Sequence, residues 1–274
     1  MQTLEKGILL SNQQVGVDLW EMEIHAPQIA AAAQPGQIVN LRVSQLDSPL
    51  LRRPFSIYDA HPVTGTLLLL YKVVGTGTQL MTEFKAAEQL DLMGPLGKGF
   101  SLPGGTGKNL LLVGGGVGLA PLLLLGRRLV ETQHQVTVLL GAGNASQVVG
   151  EKRFTDLNIK FLVSTIDGSY GFPGLVTDLL QARIEPQTID FLYCCGPEAM
   201  MAAVSSYAVK NNIDGEVSLE ENMACGVGAC LGCARKLQAD HTNLVKICHD
   251  GPVFPLNAVE FNNNQEAARC LYYL

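Results

Sequence analysis

Cys225, Cys230, Cys233 and Cys248 follow one another with the spacing C-x4-C-x2-C-x14-C. Thiolates are soft metal ligands, and the first three positions reproduce the C-x4-C-x2-C spacing of plant-type 2Fe–2S clusters, with a more distant fourth ligand. Four thiolates must converge on a compact inorganic core, so the chain between the first two has to turn tightly. Gly226, Gly228 and Gly232 permit such a turn and free amides to point at sulfur. Four cysteines also suit a tetrahedral zinc ion. Zinc usually takes paired C-x2-C knuckles, and only Cys230 and Cys233 form one. The spacing favours the 2Fe–2S cluster over zinc, and over unliganded core cysteines. Of the other three cysteines, Cys194 reads as core packing at a strand end and Cys270 as incidental. Cys195 precedes Gly196 and Pro197 at the carboxyl end of an expected parallel strand, the edge where open α/β sheets bind ligands. A simply buried thiol is the alternative there.

Two glycine loops have the residues to cradle phosphate. Gly114, Gly115, Gly116, Gly118 and Pro121 follow an apolar strand and open a helix, which places small residues and free amides at a helix N-terminus. The run is not the strict G-x-G-x-x-G fingerprint, and a tight structural turn is the competing reading. Gly75-Thr76-Gly77-Thr78 is a second small-residue loop, readable as a phosphate loop or an ordinary turn. In Arg52-Arg53-Pro54-Phe55-Ser56, Arg53 offers a charge to phosphate, Phe55 a flat apolar face and Ser56 a hydrogen bond to a ring nitrogen. The alternative is an edge strand with two solvated arginines.

Those residues need elements to hold them. Val17–His25, Gln37–Val43, Pro54–Asp59, Thr66–Val74 and Glu88–Gly94 read as short strands, with one helix at Gln79–Phe84, a pattern that predicts an antiparallel barrel. From Lys108 the rhythm changes. Strands at Asn109–Val113, Gln135–Leu140, Lys160–Ser164 and Asp190–Cys195 alternate with helices at Leu119–Glu131, Gly174–Arg183 and Glu198–Asn211. Buried strands alternating with helices predict a doubly wound parallel sheet. After Val217 glycine, cysteine and turns dominate, in a segment too small for a core of its own; it needs a metal or a neighbour. The expectation is an α+β and α/β multi-domain chain with a barrel at 1–102, a nucleotide domain at 103–216 and a cluster segment at 217–274.

Composition narrows the function classes. The 274 residues carry 19 Lys and Arg against 25 Asp and Glu, a net charge of -6 that argues against a nucleic-acid surface. With 47% hydrophobic residues the chain buries a large core, which excludes disorder. Seven cysteines, an odd number, in an acidic chain argue against a disulfide framework and for the cytoplasm. Glu5 and Lys6 fall where a signal peptide needs apolar residues. The uncharged run Asn109–Gly126 has glycines and a proline at its middle, so a strand, a turn and a helix explain it better than a membrane span.

Taken together, the motifs resemble the ferredoxin–NADP reductase superfamily. Arg53-Pro54-Phe55-Ser56 is similar to its Arg-x-aromatic-Ser/Thr flavin motif, Gly77-Thr78 to its flavin diphosphate loop, and Gly114–Pro121 and Cys195–Met200 to its pyridine-nucleotide segments, in the family's order. The cysteine segment, with Lys246–Phe254 closing it, resembles the electron-transfer subunits of class B dihydroorotate dehydrogenases. The resemblance implies FAD held by Arg53, Pro54, Phe55 and Ser56, lined by Leu70, Tyr71 and Lys72, with its diphosphate on Gly77 and Thr78. It implies NAD(H) at Gly114, Gly115, Gly116, Gly118, Pro121, Gly196 and Pro197, with Cys195 near the meeting point of nicotinamide and flavin. It also implies a 2Fe–2S cluster on the four cysteines and an FMN-containing catalytic subunit as partner, two of each in a heterotetramer, with neither nucleic acid nor membrane involved. No acidic residue stands in Gly141–Ser146, where an NAD site often carries one, and Lys152 and Arg153 follow, so the residues leave NADPH open. A related reductase subunit serving ferredoxin, sulfide or hydrogenase chemistry shares every one of these segments. A zinc-stabilised binding module without redox function leaves the flavin and nucleotide loops unexplained.

Overall fold

In a computed structural model, which describes residues 2–44, 48–237 and 240–261, six strands close into a barrel. They are β1 (Thr3–Gly16), β2 (Leu19–His25), β3 (Ile38–Leu41), β4 (Arg53–His61), β5 (Thr66–Lys72) and β6 (Gln89–Leu96), in the order β1-β2-β5-β4-β3-β6 with antiparallel pairing throughout. Two short helices, α1 (Pro27–Ala32) and α2 (Thr76–Met81), lie between strands. The period of two along β5 sorts its leucines: Leu67, Leu69 and Tyr71 fill the barrel, while Leu68 and Leu70 enter a second core with Leu119 and Val149 of the next unit. A continuous apolar run is what a strand buried on both faces requires.

β1 is absent from the sequence reading, and its burial pattern is the reason. Glu5, Gly7 and Leu9 point inward while Leu4 and Leu10 are exposed, so the apparent hydrophobic face is the outer one. Buried Glu5 accepts hydrogen bonds from the Gln28 and Ile29 amides, at 3.0 and 2.8 Å, and so caps the first turn of α1. The helix expected at Gln79–Phe84 starts earlier, at Thr76, because the Thr78 hydroxyl takes the Val74 and Gly75 amides and closes the turn there.

The second unit is a seven-stranded sheet built from β7 (Asn109–Gly115), β8 (Gln135–Ala142), β9 (Lys160–Thr165), β10 (Phe172–Pro173), β11 (Phe191–Cys195) and β12 (Gly215–Ser218), joined by one strand from further along the chain. Its helices are α3 (Leu122–Glu131), α4 (Glu151–Thr155), α5 (Val176–Arg183) and α6 (Glu198–Lys210). α3 packs on one face, with Leu110, Leu112 and the barrel's Tyr58; α5 and α6 pack on the other, with Leu111, Val113 and Leu192. Strand order β10-β9-β8-β7-β11-β12 reverses direction between β7 and β11, the switch point of a doubly wound sheet. On α3, Arg127 forms an ion pair with buried Asp59 of β4 and contacts His61 at 2.7 Å, tying barrel to sheet.

After Val217 come β13 (Ala234–Leu237), β14 (Asp240–Lys246) and β15 (Val253–Pro255). β15 runs antiparallel beside β12 and is the sheet's last strand. Met223, Cys233, Ile247, Cys248, Phe254 and Val259 share one core with Leu192, Val217 and the barrel's Ile38 and Leu96. A neighbour, then, supports this segment. Among the described residues no helix is long and apolar enough to cross a membrane.

Candidate functional site

β4 and β5 pair from His61↔Thr66 to Ile57↔Leu69, and their ladder stops there. Beyond it, Arg53–Ser56 pair only with β3, and Leu70–Lys72 only with β2. The strands part, and the residues of both expected flavin segments become the two lips of one opening. Pro54 sits on one lip with no N–H to offer a facing strand. Such an opening between main-chain edges fits a flat heterocycle with hydrogen-bonding edges. Leu70 and Tyr71 are buried, at 2% and 1% exposure, and Lys72 is the partly exposed residue of that lip. Tyr71 stacks with Trp20, meets the Phe55 ring edge-on at 5.9 Å and donates to Asn12 Oδ1 at 3.1 Å. Burial raises its pKa to about 12, so it stays a phenol.

The two arginines divide sharply. Arg52 is bound to the Asp91 carboxylate and to the Asp91 carbonyl, each at 2.8 Å, and belongs to the framework. Arg53 donates only to the carbonyls of Leu51 and Arg52, and among the described residues it has no carboxylate partner. Its charge is available to an anion. Its side chain lies against Gly77, where a β-carbon would stand 2.9 Å from Nε. The hydroxyl of Thr78 donates to the Gly75 carbonyl, so Thr78 shapes the loop, while the first-turn amides of α2 point outward without intrahelical partners.

The nucleotide residues gather at the switch point. Cys195 pairs with Gly114 in the parallel register of β11 and β7. A β-carbon on Gly118 would meet the Gly196 Cα at 2.5 Å and the Cys195 carbonyl at 2.6 Å, and one on Gly115 would meet Met200 Sδ at 2.6 Å and Pro197 Cδ at 2.7 Å. The loops 114–121 and 195–200 are therefore packed into one surface. Within the first loop only Gly116, at φ +54°, faces open space. Pro121 and Pro197 occupy the residues just before α3 and α6, with no side-chain cap at either helix start. The chain between Gly116 and Leu119 is a 3-10 turn, so the expected helix begins three residues late, at Leu122.

Cys195 is fully buried. Burial first, then the charge of Glu220, push its pKa well above the ordinary thiol value, against a hydrogen bond with Ser218. It is a neutral thiol, suited to packing or weak donation and not to nucleophilic attack. Neither Ser218 nor Glu220 was marked by sequence pattern; only their position just after β12 connects them. Desolvation raises the pKa of the Glu220 carboxyl. Lys152 is paired with Asp156 at 2.8 Å and Arg153 with Glu21 at 2.5 Å. These residues line a recess of about 790 Å³ that contains none of the expected site residues.

The four cysteines come together. Cys233 and Cys248 stand with sulfurs 3.3 Å apart, both buried, and the Cys230 amide donates to Cys225 Sγ at 3.4 Å. Further amides point at sulfur: Val227 to Cys225, Gly228 to Cys248 at 3.2 Å, and Gly232 to Cys230. The donors from Cys230 and Val227 hold the Cys225 thiol down at about 6. Gly226 and Gly228 have φ of +70° and +75°, the conformation that such a turn requires. No group of three or more metal-binding side chains closes round a single point among the described residues. Amides aimed at sulfur suit the negative charge of an iron–sulfur core. Arg235 of β13, missed in the sequence, joins this loop to the nucleotide site through Glu221 at 3.2 Å and Glu198, the first residue of α6. Cys270 lies outside the described residues.

Comparison with known proteins agrees with this geometry. Residues 112–206 match the oxidoreductase NAD-binding domain, and residues 220–260 the iron–sulfur cluster binding domain of dihydroorotate dehydrogenase B. The dihydroorotate dehydrogenase B (NAD(+)) electron transfer subunit of Desulforamulus reducens is 40% identical over 249 residues, 90% of this chain and 94% of the relative. That of Shouchella clausii is 39% identical over 256 residues, 92% and 96% of the two chains. Among solved structures, the NADH-dependent reduced ferredoxin–NADP oxidoreductase described for flavin-based electron bifurcation superposes with a TM-score of 0.84 at 28% identity, covering 97% of this chain and 96% of that one. A ferredoxin NADP+ reductase from Neisseria gonorrhoeae with bound FAD and NADP shares the fold, with a TM-score of 0.62 at 18% identity over 76% and 91%. The barrel, the doubly wound sheet and the cysteine loop define a ferredoxin-reductase-like oxidoreductase with an NAD-binding domain and an iron–sulfur cluster binding segment. Within that class, the chain belongs to the family of dihydroorotate dehydrogenase B (NAD(+)) electron transfer subunits.

Proposed function

We propose that this chain takes electrons from NADH and delivers them to, or receives them from, an FMN-containing dihydroorotate dehydrogenase catalytic subunit, in a cytoplasmic heterotetramer of two of each. Residues 1–102 serve the flavin, 103–216 the nucleotide and 217–274 the cluster. The observation that carries the reading is a juxtaposition: Gly226 of the cysteine loop lies against Asn40, whose ladder partner is Pro54 of the flavin strand.

Arg53 supplies charge to the FAD diphosphate, with Gly77 and Thr78 giving the loop its shape, and Arg53–Ser56 hold the flavin with Leu70–Lys72 lining it. The joined loops around Gly116 and Gly196, with Pro121 and Pro197 at their helix starts, receive NADH. Lys152 and Arg153 are neutralised by Asp156 and Glu21, which favours NADH over a cofactor with an extra phosphate. Cys225, Cys230, Cys233 and Cys248 hold the cluster. Bound in these places, FAD and the cluster supply the conversion between a hydride pair and single electrons. Val227, Leu231 and Leu244 are exposed apolar residues on and beside the cysteine loop, suited to a partner's surface.

The purified chain should reduce artificial acceptors with NADH and leave orotate untouched, and adding the catalytic subunit should bring NADH-dependent orotate chemistry. Orotate turnover by this chain alone would overturn the division of labour. The whole-chain likeness to a ferredoxin–NADP oxidoreductase favours ferredoxin as the second reading, which predicts ferredoxin reduction and no gain from the orotate-binding partner.

A further inference from the structure

Asn40 is 1% exposed, and among the described residues neither its Nδ2 nor its Oδ1 has a hydrogen-bond partner. Native interiors rarely leave a carboxamide so placed, because its desolvation goes uncompensated. Its direction is fixed by the strand. Val39 and Leu41 point into the barrel core and Ile38 joins the core shared with the cysteine segment, so Asn40 also faces outward, toward that segment. Its ladder partners are Pro54 on β4 and Met93 on β6. Covering it is Gly226, the residue after Cys225, at φ +70°; a β-carbon there would fall 2.1 Å from Asn40 Nδ2 and 2.9 Å from Met93 Cε. The amide nitrogen is thus held against the cysteine loop, between the flavin strand and the first cluster ligand. Nδ2 is a donor only. The side-chain acceptors of that loop are all sulfurs, and the Val227 and Cys230 amides already donate to Cys225 Sγ from the loop itself.

We infer that Asn40 completes this donor shell from the barrel side, giving an Nδ2–H hydrogen bond to a cluster sulfur, and that it tunes the cluster's reduction potential. The inference rests on the assignment of the four cysteines as cluster ligands. A donor to sulfur stabilises the reduced form, which carries one more negative charge, and so raises the potential. Because Asn40 reaches across from the strand that pairs with the flavin segment, the barrel itself would adjust the acceptor that lies next in line.

The test is an anaerobic redox titration of the full chain with FAD and cluster bound, followed by electron paramagnetic resonance, for wild type, Asn40→Leu and Asn40→Asp. Iron and sulfide analysis of wild type first tests the ligand assignment; a chain without the cluster overturns both readings. With the cluster present, Asn40→Leu should make the cluster harder to reduce by about tenfold in its equilibrium, about 59 mV for one electron. Asn40→Asp, of equal size but with an acceptor in place of the donor, should shift it further the same way, which a space-filling role would not. An unchanged cluster potential, or a shift confined to the flavin, overturns the inference. Should both variants lose the cluster, wild type labelled with 15N in its asparagine carboxamides decides: a hyperfine coupling to the reduced cluster supports the bond, and its absence overturns it.

Discussion

The guanidinium of Arg53 lies against Gly77, so the barrel strand and the loop after β5 meet where the FAD diphosphate is proposed to bind. Neither half suffices, since Arg53 supplies charge and the loop supplies amides. Arg53→Ala should weaken FAD binding by about 1.5–3 kcal/mol, the worth of a hydrogen bond to a charged group. Gly77→Ala should weaken it too, by displacing a side chain it never replaces. Flavin content after gel filtration and titration of apoprotein with FAD measure both. Full retention in both variants would remove the anion site from this place.

The nucleotide loops depend on each other in the same way. Gly118→Ala puts a methyl group into the Gly196 and Cys195 main chain, which has no flexible end to move aside. The expected cost is about 1–3 kcal/mol of stability together with a raised KM for NADH. Gly116→Ala meets no atom within 4 Å but strains a φ of +54° at the face open to ligand, so it should affect NADH binding more than thermal stability. Thermal unfolding beside steady-state diaphorase kinetics separates the two.

Cys230→Ser should abolish the cluster's visible absorption while NADH still bleaches the flavin. It should not unfold the segment, because Ile247, Phe254 and Val259 are buried in the core that includes Val217 and Leu192. Hydrogen exchange should therefore stay slow at Val217 and Phe254, which face each other across the β12–β15 ladder. Fast exchange there would mean that the metal, and not the packing, holds the segment.

Much of this was legible in the sequence where chemistry or period is local. The C-x4-C-x2-C spacing, the leucine run of β5 and the alternation from Asn109 to Cys195 each carry their own signal. β1 was not legible because its inward face holds Glu5 and Gly7, and the outward placing of Asn40 on β3 was not because one buried amide has no periodicity. The C-terminal strands were hidden for another reason. β15 is three residues long and is specified by the edge of β12, not by its own pattern. At the nucleotide loop the glycines were legible but their reasons were not: Gly114, Gly115 and Gly118 are small because Leu119, Met200 and Gly196 pack there, and Gly116 alone opens outward.

The framework beneath the flavin strand carries a pH dependence. Burial alone would raise the pKa of Asp91, but hydrogen bonds from Arg52 and Lys6 outweigh it and hold the carboxyl below its ordinary value. A carboxylate lowered on folding stabilises the fold above its unfolded pKa, about 3.9, and that stabilisation is lost as pH falls through the lowered folded value. The stability gap between wild type and Asp91→Asn should be constant near neutrality and shrink below about pH 4. Chemical denaturation at several pH values measures it, and a gap that widens in acid would reverse the sign assigned to Asp91.

A chain that contains the whole route from NADH to a 2Fe–2S cluster should pass electrons along it unaided. When NADH is added anaerobically to the purified, flavin-loaded chain, its electron paramagnetic resonance spectrum at low temperature should show the signal of a reduced 2Fe–2S cluster in wild type, and none in Cys230→Ser despite flavin bleaching. A wild-type chain that contains flavin and two irons, bleaches with NADH and yet gives no cluster signal, while dithionite elicits one, would contradict that route.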